Sequence, residues 1–277
     1  MRALLVLNEK SRRGACDGDM VCKTLADLGI DCYRDPSQND VDAVIAAGGD
    51  GTVISTAPVA LERGVPLGIV PLGTFNDLAK SLGVPHDVGE ACSAILSGCT
   101  RRIDLGRVNG TYFVNEASIG LSARIARRQT PDVKQRFGIF GVISTTLQTL
   151  GQASPISVHV RFDGKTEAFR TIQLTIANNA RFGGVIERSD AAIDDGWLDL
   201  YSIEVRSWLD ALALAGKVVR RDPTPGEGLR TLRSTRFEVV TRRPHHISAD
   251  GEPAGMTPAT FEVVPRAVEV IVPGGVS

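Results

Sequence analysis

Ala43-Val44-Ile45-Ala46-Ala47-Gly48-Gly49-Asp50-Gly51-Thr52 decides how this chain is read: an apolar run breaks into a glycine cluster and then a helical stretch through Glu62. A short apolar run closed in this way reads as a strand buried on both faces. The glycines let the backbone take φ > 0 and approach a ligand closely. Their amides and the helix N-terminus beyond form an anion cradle whose natural occupant is phosphate. Asp50 would repel phosphates in such a cradle unless magnesium bridges them. The run is neither the dinucleotide fingerprint GxGxxG nor the P-loop GxxxxGK(S/T). The plainer alternative is a glycine turn serving only a tight strand-to-helix connection.

On either side the same alternation continues. Ala3 to Leu7 is an apolar run followed by a polar loop, and Met20, Leu25 and Leu28 share a helix face before Gly29. Pro66 to Val70 reads as a further strand and Phe75 to Leu82 as a short helix. Strands bounded by helices imply a mainly parallel sheet covered on both faces, an α/β fold, with ligands at the loops after the strand C-termini. Those loops lie at Asn8, Gly48 and Pro71. In Pro71-Leu72-Gly73-Thr74-Phe75-Asn76-Asp77, Gly73 and Thr74 can reach the same phosphates, and Asp77 adds a second carboxylate for metal or catalytic support. Alternatively, Thr74 or Asn76 caps the helix through Ser81.

After about Arg102 the chain becomes β-rich. Val108 and Thr111 flank Asn109-Gly110, and Phe162 and Lys165 flank Asp163-Gly164, both two-residue hairpin signals. Ala168 to Ala177, Trp197 to Glu204, Arg236 to Thr241, Thr260 to Val264 and Val268 to Val272 read as strands, with helical stretches at Arg136 to Leu150 and Ser207 to Val219. A β-sandwich or distorted barrel follows. Arg221 to Gly228, with two prolines and two glycines, reads as an exposed loop. The expected domains are residues 1–105, α/β with a phosphate-binding edge, and 106–277, β-rich, whose last segment packs back on the first.

Composition narrows the function. A 277-residue chain with 43% hydrophobic residues and 31 Lys plus Arg against 32 Asp plus Glu is globular, and its net charge of -1 offers no global attraction to nucleic acid. Two local excesses stand out, Arg101 to Arg136 and Lys217 to Arg243, each with eight basic and three acidic residues: solvated faces, or a surface for anionic lipid headgroups. Five cysteines without a CxxC pair and four histidines support neither a zinc site nor a disulfide framework, which fits a cytoplasmic protein. The N-terminal apolar run is too short for a signal peptide, and the best apolar stretch, Phe137 to Leu150, is too interrupted to cross a bilayer. Membrane contact would be peripheral.

Gly48 to Thr52 followed by Pro71 to Pro85 (PLGTFNDLAKSLGVP) resembles the catalytic domain of the diacylglycerol kinase family, particularly bacterial lipid kinases of the YegS type, and is related to sphingosine and ceramide kinases. The likeness extends through Arg102-Ile103-Asp104-Leu105-Gly106, Phe113-Val114-Asn115, Gly183-Gly184, Asp194-Asp195-Gly196-Trp197-Leu198-Asp199 and Ala249-Asp250-Gly251-Glu252-Pro253.

The resemblance implies an NAD-kinase-like first domain, a β-sandwich that accepts the lipid, and ATP in the cleft they share. By the same token Gly48, Gly49, Asp50, Gly51, Thr52, Gly73 and Thr74 hold ATP. Asp50, Asp77 and Asp104 form an acidic network around magnesium, and Glu252 is the base. A separate structural magnesium falls on the Asp195 side chain with the carbonyls of Ala192 and Trp197. The family's first loop, NPxSG, is replaced by Asn8-Glu9-Lys10-Ser11-Arg12-Arg13-Gly14, with Asn8 and Lys10 carried over as nucleotide contacts. Arg34 to Asp42 is shorter than in similar chains, and Lys80 stands where many carry Arg.

The expected activity is therefore transfer of the γ-phosphoryl group of ATP, with magnesium, to a hydroxyl of a diacylglycerol- or phosphatidylglycerol-like lipid. The expected place is the cytoplasmic membrane surface, held by Arg124, Arg127, Arg128 and Lys134; a homo-oligomer is compatible with the sequence. Two rivals stand beside it: an NAD kinase, which shares Gly48 to Thr52 and the Asn115-Glu116 pair, and a non-catalytic nucleotide or lipid sensor of the same fold.

Overall fold

The computed structural model describes residues 1–7, 14–38, 40–73, 76–96, 98–120, 155–178, 181–182, 186–187, 192–204, 226 and 228–274, with side chains from 18 onward in the second of these segments and without those of Asp77, 181–182 and 186–187. The chain divides into two compact units, Met1–Asp104 with Pro265–Ser277, and Leu105–Val264.

In the first unit β1 (Arg2–Leu7), β2 (Asp31–Tyr33), β3 (Ala43–Gly48) and β4 (Leu67–Pro71) run parallel in the order β2-β1-β3-β4. The end of β18 (Ala259–Ile271) joins β4 in parallel through Val270 and Leu67. Every residue of β3 is buried, as its apolar run requires. Helix α2 (Asp50–Arg63) packs on it, and α1 (Gly14–Asp27) packs on α4 (Val88–Leu96). The short helix α3 (Asp77–Ser81) follows β4. Two elements go beyond the sequence reading, β2 and α4. The latter starts where the Asp87 carboxylate accepts the Glu90 amide at 3.0 Å, a cap that fixes an otherwise short amphipathic turn. The shortened Arg34 to Asp42 stretch is tied down by Arg63, whose guanidinium donates to the carbonyls of Gln38 and Pro36 at 2.6 and 2.5 Å.

The second unit is a sandwich of two antiparallel sheets. One contains β8 (Ile156–Phe162), β9 (Lys165–Thr171), β15 (Arg236–Thr241) and the first half of β18, in the order β18-β15-β8-β9. The other has the order β14-β13-β10-β7-β16-β17, from β7 (Glu116–Gly120), β10 (Gln173–Ala177), β13 (Leu198–Ile203), β14 (Leu229–Ser234), β16 (His246–Ala249) and β17 (Glu252–Met256). Their inner faces share one core that includes Val158, Val160, Phe237, Phe261, Ile119, Leu174, Ile176, Leu198 and Leu200. β5 (Thr100–Val108) and β6 (Thr111–Phe113) form the first expected hairpin, with Val108 opposite Thr111 around Asn109-Gly110. Phe162 opposes Lys165 in the second. The short pair β11 (Arg181–Phe182) and β12 (Ile186–Glu187) completes the described strands.

Three expected strands are redrawn. Ala168 to Ala177 is not continuous: the chain leaves β9 at Thr171 and enters β10 at Gln173, changing sheets at Ile172. The Thr171 hydroxyl holds the corner by donating to the carbonyl of Gln173 at 2.6 Å. Conversely, Thr260 to Val264 and Val268 to Val272 belong to one strand, β18, which continues through Arg266 at φ 51. The expected helices at Arg136 to Leu150 and Ser207 to Val219, most of the Arg221 to Gly228 loop, Gly183-Gly184 and the cations Arg124, Arg127, Arg128 and Lys134 lie outside the described residues. Within the described part of the basic stretches, Arg102, Arg107, Arg230, Arg233 and Arg236 each meet a carboxylate. Among the described residues no helix is long and apolar enough to cross a membrane.

Candidate active site

The first unit builds its site where β3 and β4 end side by side. Gly48 pairs with Pro71, and the Leu72 amide donates to the Gly48 carbonyl at 2.9 Å. The two glycine bends then meet face to face: a Cβ on Gly49 would lie 3.1 Å from the Gly73 Cα, and one on Gly73 would lie 2.6 Å from Asn76 Oδ1. A Cβ on Gly48 would overlap the Thr52 side chain. These glycines therefore serve close approach rather than the left-handed backbone expected of them, since Gly48, Gly49, Gly51 and Gly73 all lie outside the positive-φ set and Gly49 has φ -88. The left-handed residue at this edge is Asn76, at φ 50.

Asn76 corrects its half of the capping alternative, Thr74 lying outside the described residues. It occupies the N-cap position of α3 but makes no side-chain cap hydrogen bond. Instead its side chain closes the second bend, accepting the Gly73 amide at 3.0 Å and donating to the Gly73 carbonyl at 2.8 Å. The amide of Leu78 in α3 is reached by Asp50 Oδ1 at 3.4 Å, so Asp50 leans toward the second loop. Helix α2 also lacks a side-chain cap. The amides of Thr52 and Val53 are satisfied by the Gly49 carbonyl, leaving those of Asp50 and Gly51 without a backbone partner among the described residues. Asp104 is buried in β5 and accepts the backbone amide of Arg266 at 2.7 Å, pinning the left-handed residue of β18. Asn8, Lys10 and Thr74 lie outside the described residues, as does the Asp77 side chain.

In the second unit the last sequence motif is a tight hairpin. Asp250 and Gly251, at φ 48 and 92, turn β16 into β17, with Ala249 opposite Glu252. Glu252 is exposed at the first position of β17. The Asp250 carboxylate points back and accepts the amides of Val114, Asn115 and Glu116 at 2.6, 3.0 and 3.0 Å, while the Asp250 amide donates to the Glu116 carbonyl at 2.8 Å. Asn178, which the sequence reading missed, completes the clamp: its side chain donates to the Val114 carbonyl at 3.0 Å and its amide to the Asn115 carbonyl at 2.8 Å. Two motifs that are remote in sequence thus meet on one carboxylate. Burial pushes the Asp250 carboxyl above the ordinary carboxylate range, with the three amides pulling against it. A raised folded value means that the protonated form adds stability below the ordinary carboxylate pKa, and that this part fades as pH rises through the folded value. Asp250→Asn should flatten this slope in mildly acidic melts, whereas Asp250→Ala should cost about 3–5 kcal/mol in denaturant unfolding by orphaning the amides.

The family model for the diacylglycerol kinase catalytic domain matches residues 19–108, and that for the YegS C-terminal NAD kinase beta sandwich-like domain matches residues 115–272. The chain belongs to the diacylglycerol kinase-like family of lipid kinases. A diacylglycerol kinase from Bacillus subtilis is 27% identical over 244 residues, covering 87% of this chain and 80% of that protein. An uncharacterized Synechocystis protein is 28% identical over 236 residues, 83% of this chain but 54% of that protein, so the chain spans about half its length. A crystal structure of a diacylglycerol kinase from Bacillus anthracis superposes with TM-score 0.75 at 21% identity, covering 100% of this chain and 98% of that one. An NAD kinase from Archaeoglobus fulgidus in complex with ATP gives TM-score 0.55 at 14% identity, covering 99% and 94%, a likeness of fold.

For this diacylglycerol kinase-like chain the residues of the first bend fit the phosphates of a nucleotide. The Thr52 hydroxyl is buried without a hydrogen-bond partner among the described residues, and a Cβ on Gly51 would enter open space. The protein's own packing thus explains Gly48, Gly49 and Gly73 but not Gly51. The magnesium implied at Asp195 fits poorly. Asp195 Oδ2 accepts the Ala192 amide and Oδ1 the Trp197 amide, each at 3.0 Å, and Arg233 pairs with the same carboxylate. Among the described residues no group of three or more His, Cys, Asp or Glu is gathered as a metal site.

Proposed function

We propose that this family member transfers the γ-phosphoryl group of ATP to a hydroxyl of a diacylglycerol- or phosphatidylglycerol-like lipid. The observation that carries the nucleotide half of this reading is the uncapped start of α2, whose buried Thr52 hydroxyl has no hydrogen-bond partner among the described residues, together with the close approach of Gly49 to the Gly73 bend. Gly49, Gly51, Thr52 and Gly73 hold the phosphates, with Thr74, Asn8 and Lys10 as further contacts by family likeness. The helix N-terminus favours their negative charge.

Transfer forms a bond between the lipid oxygen and the γ-phosphorus and breaks the bond from that phosphorus to the β,γ-bridging oxygen, with ADP as leaving group and the hydroxyl proton passing to a carboxylate. Glu252 takes this proton. An alcohol ionises too weakly to lose its proton early, so a positioned carboxylate accepting it as the bond forms is the required device. Asp250 sets the hairpin from which Glu252 projects. Magnesium, when bound, neutralises phosphate oxygens; Asp50, Asp77 and Asp104 are the carboxylates proposed to face it. The protein works at the cytoplasmic face of a membrane, where its acceptor resides, without a nucleic-acid partner.

Purified protein given labelled ATP and a panel of diacylglycerol, phosphatidylglycerol and sphingoid acceptors should label at least one lipid. Absence of label in every lipid, together with NADP formation from NAD, would replace this reading by the NAD kinase one; nucleotide binding without any turnover would favour the sensor.

A further inference from the structure

We infer that the guanidinium of Arg233 closes the Asp195 loop in place of a divalent cation, so that this loop is ordered without metal. Magnesium and calcium take oxygen ligands, and a carboxylate holding one must keep at least one of its roughly four lone-pair sites aimed at the ion. In the loop before β13 three N–H donors already occupy Asp195. Both Asp195 oxygens accept backbone amides, from Ala192 and Trp197, and Oδ2 also meets Arg233 Nη2.

Strand register delivers Arg233 to this position. In the β13–β14 ladder Arg233 lies directly opposite Asp199, and its Nε stands 3.8 Å from Asp199 Oδ1. The guanidinium carbon is 5.7 Å from the centroid of the Trp197 ring. The Asp195, Asp199 and Arg233 side chains are only 18%, 6% and 26% exposed. One fixed cation therefore serves two sheltered carboxylates and an aromatic face at once, which suits the planar fork of arginine. A divalent ion at the same oxygens would have to displace the guanidinium and then face its charge across a weakly screened space. If the kinase reading holds, magnesium needed for turnover belongs to the nucleotide alone.

The test is thermal melting of the full chain, with neither nucleotide nor lipid, so that its failure is distinct from failure of the kinase reading. In a Trp208→Phe background the remaining indole, Trp197, reports the loop. Equal melting temperatures in EDTA and in millimolar magnesium are expected, with Arg233→Gln lower by roughly 3–8 °C in both. A magnesium-dependent rise that disappears in Asp195→Asn would overturn the inference, as would an Arg233→Gln protein that melts like its parent. Should Arg233→Gln fail to fold, the parent's response decides: no magnesium effect supports the inference, and an effect lost in Asp195→Asn overturns it.

Discussion

Glu252→Gln lowers phosphoryl transfer to the acceptor lipid by about 10²–10⁴-fold, the usual range for losing a general base, while ATP affinity stays unchanged. The amide keeps the size and hydrogen-bonding reach of the side chain but cannot take up the proton. Because Glu252 is exposed at the start of β17, the substitution should change stability by no more than about 0.5 kcal/mol. The structural role at this hairpin belongs to Asp250, two residues away, whose carboxylate holds the Val114 to Glu116 amides. The pair of variants therefore separates chemistry from folding. Initial rates at saturating ATP, set beside an ATP titration, read both quantities, and wild-type turnover in Glu252→Gln would remove this residue from the reaction.

Gly51→Val weakens ATP binding by about tenfold or more, equivalent to about 1.4 kcal/mol or above, and shifts the melting temperature by only about 1–2 °C. Among the described residues no atom outside the helix backbone and the two adjoining residues lies within 4 Å of a Cβ at this position, so none of them would be crowded by the new side chain. Gly51 lies in the first turn of α2, and a branched side chain there should crowd a phosphate held at the helix N-terminus. Gly73→Ala is the instructive contrast: its Cβ would strike Asn76 Oδ1 and the Gly49 backbone, so binding and stability would fall together. A Gly51→Val protein that binds ATP normally would return the glycine cluster to the role of a plain connection.

Much of this was legible locally. The apolar run before Gly48 gave a buried parallel strand, and the Asn109-Gly110 and Asp163-Gly164 pairs gave hairpins at the expected registers, because each signal is complete within a few residues. The acid at residue 87 followed by Glu90 is a local start signal for α4 that the sequence reading passed over. What local pattern could not supply was long-range pairing. Nothing in Ala168 to Ala177 announces that Ile172 is a corner between two sheets, since the Thr171 hydroxyl that holds it, besides its bonds to the Gln173 amide and carbonyl, donates as far away as Ile203. The sequence reading split the chain between Val264 and Val268 into two strands, yet β18 runs on where Asp104, 162 positions earlier, holds the amide of Arg266.

The site divides in the same way. The glycines and acids of the two bends were evident by type, but their reasons were not: close approach of Gly49 to Gly73 is a property of adjacent strand ends, and Asn76 looked like a cap until its two bonds to Gly73 were placed. Asp-Gly at 250 and 251 was readable as a turn, whereas the clamp on Val114 to Glu116 depends on β16 lying beside β7. Asn178 gave only a weak signal, a polar residue closing an otherwise buried strand run.

The most direct measurement is a crystal structure with magnesium and a non-hydrolysable ATP analogue. Phosphate oxygens should accept hydrogen bonds from the Asp50 and Gly51 amides and from the Thr52 hydroxyl, with the Gly73 bend alongside. A well-ordered nucleotide bound elsewhere, with the Thr52 hydroxyl still unpartnered, would contradict the assignment of this bend as the phosphate cradle.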